Sequence, residues 1–235
     1  MGSKSAKYYD DIYAANSKDY PAEAGLTHQI IQQYKISSGN SLLDVGCGTG
    51  IHVNLLRKHY QVEGLDIDPY MLHEARRNHP GIRFHQGDMV DFRLENTFDV
   101  IVCLFSAIGY VKTKPRLHKA IKTMASHLNT GGVLLIEPWF TPSQWHTGRS
   151  FTTLSSKPDT KIFRMSYSRR RGNISIIEFQ YLIGTSKGIE HEKEILELGL
   201  FNKKDYLNAF RLAGLKTFHD PQGLDGRGLY IGIKA

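Results

Sequence analysis

Cysteine is scarce in this 235-residue chain. Cys47 and Cys103 are its two cysteines, too few for a disulfide framework or a cysteine-ligated zinc site. No apolar run approaches the roughly 20 residues that span a bilayer. The polar start MGSKSAKYYDD also lacks the apolar stretch of a secretory signal, so a cytoplasmic protein without a membrane partner is expected. The histidines never take an H-x-x-x-H or similar ligand spacing, so no metal is expected. Repeats and low-complexity tracts are missing, which excludes solenoids and tails. What remains is 40% hydrophobic and 23% charged, enough for a buried core. The formal charge of +7 asks for a partner of opposite sign: nucleic acid, a membrane surface or an acidic small molecule. The dense basic run, Arg169-Arg170-Arg171 with Arg164 nearby, has no RNA-binding signature or lysine-rich tail around it. Alone it reads as a solvated edge, and nucleic acid is not an expected partner.

Glycine concentrates in LLDVGCGTGIH, residues 42–52, which joins an apolar strand to a helix start. Gly46, Gly48 and Gly50 let backbone N–H groups face a nucleotide-like ligand at a helix N-terminus. Strands are expected at 41–45, 61–66, 82–86, 98–104 and 132–137, and helices at 51–59, 69–78 and 115–128, the last two started by Pro69 and Pro115. This alternation predicts an α/β fold, a doubly wound Rossmann-like and mostly parallel sheet. The alternation stops after Glu137. Segments 151–154, 162–169, 174–184 and 190–200 read as consecutive antiparallel strands, and a helix at 203–213 and a hairpin of 215–219 with 228–233 return to the core. The organisation expected is one domain, 1–235, with an antiparallel β insertion at 139–202. The insertion is a substrate lid or, through its exposed edge, a contact by which two copies form a homodimer.

The loop reads G-x-G-x-G, without the G-x-G-x-x-G of a dinucleotide site. Asp44 before it would repel a pyrophosphate but suits an amine-bearing ligand. Asp66, at the end of the second strand, can accept from two ribose hydroxyls. Asp88 offers a carboxylate to an adenine amino group and Met89 an apolar cover for its ring. The stretches LLDVGCGTG, GLDIDPYML, HQGDMVDF and GGVLLIEPWF together resemble class I S-adenosylmethionine-dependent methyltransferases. SKDYPAEA, HQGDMVDFRL, FSAIGYVKT, EPWF followed by Pro142, LFNKKDYLNAFRLAGL and DGRGLYIG extend the resemblance over nearly the whole chain. They resemble the N,N-dimethyltransferases of dTDP-3-amino-3,4,6-trideoxyhexoses in macrolide-sugar biosynthesis.

That resemblance implies S-adenosylmethionine as cofactor and a nucleotide-linked amino sugar as substrate. It implies a cofactor site of Tyr20, Asp44, Gly46, Cys47, Gly48, Gly50, Asp66, Ile67, Asp88, Met89 and Leu104, with Tyr9 helping to enclose it. Tyr110 and Tyr9 are the candidate catalytic side chains. Tyr110 would stand near the sugar amine, orienting its lone pair or taking its proton through water. Trp139, Phe140 and Tyr167 are expected on the substrate, and Arg227 on its diphosphate. The chain departs from the family where Phe140 replaces a second Trp and Tyr167 a His, and where an N-terminal segment with another tyrosine is lacking. These departures bear on the sugar more than on the reaction. Tyr9, Tyr13 and Tyr20, read as clustered in a polar N-terminal helix, could each be structural. His85 and His127 read as packed, and Asp91 and Glu95 as solvated. Two rivals share the cofactor residues: a methyltransferase for another small amine or hydroxyl, and a noncatalytic RNA-binding protein on this scaffold.

Overall fold

The computed structural model describes residues 3–16 and 18–235. Helices α1 (Ser3–Ala14) and α2 (Tyr20–Tyr34) precede β1 (Ser41–Val45), α3 (Ile51–Leu56), β2 (Gln61–Asp66), α4 (Pro69–Asn78), β3 (Arg83–Gln86) and β4 (Phe98–Cys103). A short 3-10 helix (Ala107–Val111), α5 (Lys114–Ser126) and β5 (Leu128–Ile136) follow. Side-chain caps set the starts of α2 and α4. Asp68 accepts from the Tyr70 and Met71 N–H groups at 2.9 and 3.4 Å to open α4, and Asp19 accepts from Ala22 to open α2. Tyr20 therefore begins α2, and the single tyrosine-bearing helix expected from the sequence is two helices.

Strands β1 to β5 pair in parallel in the order β5-β4-β1-β2-β3. Beyond β5, β11 (Leu229–Lys234) runs antiparallel to β5 and to the edge strand β10 (Leu215–Asp220). Every residue of β4 is buried, because helices cover both faces. Leu43, Ile101 and Leu134 pack with Leu117, Ile121 and Met124 of α5 on one side, and with Phe210 of α6 (Lys203–Leu212). Leu42, Val100 and Val133 pack with Ile30, Ile31 and Leu56 on the other. This is the doubly wound α/β fold expected. The strand order reverses between β1 and β4, which opens a crevice at their carboxyl ends. β5 starts at Leu128, earlier than expected, because Leu128 pairs with Phe98 before a register shift absorbs the glycines that looked like its start.

Between β5 and α6 the chain builds a second sheet from β6 (Ser150–Lys157), β7 (Thr160–Arg171), β8 (Ile174–Thr185) and β9 (Gly188–Gly199), antiparallel in sequence order. Side chains alternate between its faces. Ile162, Phe179, Tyr181, Ile183, Leu196 and Leu198 bury one face together with Ile12 of α1. Leu154, Phe163 and Leu182 remain exposed on the other.

Candidate active site

The turn after β1 is anchored to β2, with the Gly46 and Cys47 N–H groups donating to the Leu65 carbonyl at 2.7 and 3.1 Å. Gly46 has φ +80°, and a Cβ there would lie 2.6 Å from the Ala107 Cβ. Only glycine fits that turn. Gly50 caps α3 in the left-handed region and packs against Phe84 instead of facing the crevice. The loop is also tied to Asp66. Its Oδ2 accepts from the Gly48 N–H at 2.8 Å and its Oδ1 from the Asp68 N–H at 2.9 Å, leaving each oxygen a further lone pair for a ligand hydroxyl. Burial raises the Asp66 pKa, against the pull of these hydrogen bonds. Asp88 Oδ1 accepts from the Val90 N–H at 3.0 Å, and Asp88 Oδ2 pairs with Arg116 at 2.7 Å.

These strand ends floor a cavity of about 540 Å³, within the usual range for ligand sites. Gly46, Gly48, Asp66, Ile67, Asp88, Met89 and Leu104 line one end of it. Tyr9 and Tyr13 of α1, Tyr110, Trp139, Phe140 and Arg227 line the rest, under a roof of Ile177, Phe179, Leu196 and Leu198 from β8 and β9. A smaller recess shares Tyr9, Gly46, Gly48 and Leu104 with it and adds Tyr20, Asp44, Cys47 and His52. Asp44 is 2% exposed there, and burial pushes its pKa up to about 7. Burial also pushes the Cys47 thiol up, so it stays protonated. The Tyr20 hydroxyl is buried without a hydrogen-bond partner among the described residues. Tyr167 lies elsewhere: it pairs across the ladder with Ser150 and Glu178 on the outward face of the second sheet and is 45% exposed. The structure thus brings together the expected residues other than Gly50 and Tyr167. A wider, shallower cleft of about 690 Å³ opens where β1, β2 and β4 begin, and it touches none of them.

Loss of water raises the phenol pKa values of Tyr9, Tyr13 and Tyr110, against the neighbouring Arg164 cation in the case of Tyr13. Tyr110 nonetheless keeps 43% of its surface exposed at the cavity it lines. Arg227 reaches the cavity already paired. It donates to Glu137 Oε1 at 2.6 Å and contacts the Asp225 carboxylate. Glu137 is fully buried, and its Oε2 accepts from the Phe105 N–H at 2.6 Å. Burial raises the Glu137 pKa, while Arg227 opposes the rise. Phe105 and Ser106 follow β4 with φ of +49° and +61°, strained backbone at the point where the strand order reverses.

Several of these residues escape a sequence reading. Glu137 carried the same signal as Asp44 and Asp66, a carboxylate at a strand end. Lys18, Glu23 and His52 did not. Glu23 sits between Lys18 Nζ at 2.5 Å and His52 Nε2 at 3.0 Å, and nothing local in the sequence joins them. His85 pairs with Glu63, and His127 Nδ1 meets the Thr123 carbonyl at 2.8 Å, away from the cavity.

Carboxylates at successive strand ends beside a glycine turn, where the lining arginines among the described residues are paired with carboxylates, suit an adenosyl ligand that carries positive charge. The family description of a methyltransferase domain matches residues 42–132. The chain is 36% identical, across 98% of both chains, to the dTDP-3-amino-3,4,6-trideoxy-alpha-D-glucopyranose N,N-dimethyltransferase of Streptomyces venezuelae. It is also 36% identical to the dTDP-4-amino-2,3,4,6-tetradeoxy-D-glucose N,N-dimethyltransferase of Saccharopolyspora spinosa, across 97% of this chain and 92% of that one. The crystal structure of S. venezuelae DesVI superposes with a TM-score of 0.93 at 36% identity, each chain covered to 98%. Cofactor-bound CalS10, an amino pentose methyltransferase from Micromonospora echinaspora involved in calicheamicin biosynthesis, gives 0.87 at 34% identity, covering 97% of this chain and 96% of its own. The chain belongs to the family of class I S-adenosylmethionine-dependent methyltransferases that contains these enzymes. Its own residues fit that cofactor: Gly48 has nothing within 4 Å of where a side chain would begin, Asp66 has acceptor capacity to spare, and the Tyr20 hydroxyl awaits a partner.

Proposed function

We propose that the enzyme methylates the amine of a dTDP-linked amino-deoxy sugar, twice. The observation that carries this reading is the cavity itself, whose cofactor end at β1, β2 and β3 continues without a break into an aromatic end roofed by the second sheet. Relatives that act on such sugars match across both parts. Relatives acting on a 3-amino and a 4-amino sugar are equally similar at 36%, so the pocket, more than overall likeness, must read the amine position.

In this reading Gly46, Gly48, Asp66, Asp88 and Met89 hold the adenosyl part of the cofactor, and Asp44 meets its amino group. S-adenosylmethionine supplies an electrophilic methyl group. The sugar amine must arrive neutral, because its lone pair forms the new N–C bond. With pKa values raised, Tyr9 and Tyr110 stay protonated, so they act as hydrogen-bonding orienters and not as anionic bases. The proton released after each transfer leaves through water. The aromatic walls and the roof of the second sheet limit the access of competing water to the reacting centre.

The insertion serves as the roof of one functional domain that takes in the whole chain. Its exposed Leu154, Phe163 and Leu182 support a homodimer, which sedimentation would test. Among the described residues no helix is long and apolar enough to cross a membrane. Both reactants of the proposed reaction are soluble metabolites, which fits a cytoplasmic enzyme. Mass spectrometry of protein, S-adenosylmethionine and a panel of dTDP-amino sugars tests the reading. Gains of one and then two methyl groups on one panel member are expected. No gain on any member, with cofactor binding verified, would end the sugar assignment.

A further inference from the structure

Arg164, which the sequence groups with a solvated basic run, is 8% exposed. On β7 it shares the inward phase of Ile162 and Ser168, while Phe163 and Met165 face outward. Among the described residues no carboxylate forms an ion pair with its guanidinium. Glu194 lines the same recess, but its Oε2 accepts from the Tyr181 hydroxyl at 3.0 Å and its Oε1 has no hydrogen-bond partner among the described residues. Ring faces and a hydroxyl take the place of a counter-ion. The guanidinium carbon lies 4.8 Å from the Phe179 ring centroid and 5.2 Å from that of Tyr13, and Nη2 donates to Thr153 Oγ1 at 3.3 Å. Burying a charge without a paired carboxylate is costly, and a well-packed apolar side chain would stabilise the sheet better. The recess leaves about 10 Å³, room for one water at most, so no ligand of its own explains the cation.

What the cation joins is two walls of the cavity. Tyr13 of α1 and Phe179 of β8 both line the cavity, whereas Arg164 stands behind them and does not. Tyr13 in turn packs with its ring centroid 4.5 Å from that of Tyr9 and meets Phe105 edge-on at 5.0 Å, so a shift of one ring is passed to the others. A second route reaches the end of the helix. Thr153, opposite Arg164 in the β6–β7 ladder, accepts from Arg164 and donates to Asn16 Oδ1 at 2.8 Å just beyond α1. Elsewhere α1 is tied to the glycine turn, where Thr49 Oγ1 donates to Asp10 Oδ1 at 2.6 Å. The helix thus bridges the glycine turn and the roof, and Arg164 is a roof-side anchor beside Ile12 and the Asp11–Lys157 pair.

We propose that Arg164 is a positioning residue for methyl transfer: its guanidinium clasps Tyr13 to Phe179 and so fixes the spacing between the α1 wall and the roof, between which the amine is aligned with the methyl group. The inference rests on the amino-sugar reading above and adds to it a residue that touches neither reactant. Alignment tolerates little error, since a displacement of about 1 Å can cost roughly a hundredfold in rate. A guanidinium suits the task because its flat, weakly hydrated faces stack on rings, and a desolvated cation–ring contact is stronger than an exposed one.

Steady-state methylation, calorimetry with S-adenosylhomocysteine and hydrogen exchange of the α1 amides test the clasp. Arg164→Met is expected to lower kcat about ten- to hundredfold while the KM for the sugar stays within roughly threefold and cofactor affinity within about twofold. Exchange in α1 should speed up roughly tenfold or more, with the central sheet unchanged. Arg164→Lys, which keeps a cation over the rings, should recover most of the rate and of the protection. Arg164→Gln, which keeps a donor for Thr153 but no charge, should resemble Arg164→Met and stands in for it if that variant does not fold. Tyr13→Leu removes a ring on which the cation rests, so adding Arg164→Met to it should slow the enzyme no further. Wild-type kcat in Arg164→Met or Arg164→Gln, no rescue by Arg164→Lys, or losses that multiply in the double variant overturn the proposal. The sugar assignment is read separately. Methyl gain by the wild type that is indifferent to Arg164 removes the clasp and keeps the function. No gain on any panel sugar removes the function, and the clasp then stands or falls on exchange in α1.

Discussion

Asp44 should make cofactor affinity a titration. Its carboxyl is nearly fully buried, burial pushes its pKa up to about 7, and Asp66 adds to the rise while His52 opposes it. An α-ammonium head group beside it favours only the ionised form, so binding below that pH must first expel a proton. With a midpoint of about 7, the ionised fraction is roughly three-quarters at pH 7.5 and about 3% at pH 5.5. Apparent affinity should therefore fall roughly twentyfold over that interval, with about 0.9 proton released per ligand bound at pH 6. The sign for stability follows from the same group. A folded-state pKa above the unfolded value of about 3.9 means that the folded protein holds the extra proton. The ligand-free protein accordingly loses stability as pH rises from about 4 to about 7, and the loss levels off above that.

Calorimetry with S-adenosylhomocysteine, which has the ammonium but no reactive methyl, gives both numbers when run in two buffers of different ionisation enthalpy. Asp44→Asn should bind more weakly at pH 7.5 and show no proton release. A dissociation constant that stays flat from pH 7.5 to 5.5 would refute the reasoning, as would Asp44→Asn retaining the wild-type slope. The first outcome would mean that the cavity hydrates Asp44 far better than its burial implies. The second would assign the titration to another group.

Gly46→Ala places a Cβ 2.6 Å from that of Ala107 at a φ of +80°, at a cost of about 2–4 kcal/mol. For a chain of this size the thermal midpoint should fall by roughly 5–15 °C, and an unmoved midpoint in calorimetric unfolding would show that the turn is not constrained. Asp66→Asn turns an amide N–H toward the N–H of Gly48 or Asp68, so cofactor affinity should drop about ten- to hundredfold; equal affinity for the variant would take Asp66 out of the ribose site. Tyr110→Phe should lower kcat by less than roughly tenfold without moving the pH profile. Loss of a pH limb would instead make Tyr110 the base.

The legible part of this molecule is the part whose chemistry is local. Strand β1, the glycine turn, Asp66 and Asp88 could be placed because a turn residue, a cap and a strand end each leave a mark within a few positions of themselves. The ion pair of Arg227 and Glu137 spans 90 residues, and no spacing rule joins its partners. The roof is a different case. Alternation along β7 is plain in the sequence, but its phase relative to the cavity is set by Ile12 of α1 packing against Ile162 and Phe179. A one-residue error of phase then exchanges every member of the site for its neighbour. That is how Tyr167, aligned with a family histidine, becomes a candidate substrate ligand although it shares the outward face of Arg169 and Arg171, while Phe179 lines the cavity. The pair tests the phase directly. Tyr167→Phe and Tyr167→Ala should both leave the KM for the nucleotide sugar within twofold or so of wild type, whereas Phe179→Ala should raise it by about tenfold or more. The reverse ranking would mean that the sheet presents its other face to the substrate, and the roof described here would be its outside.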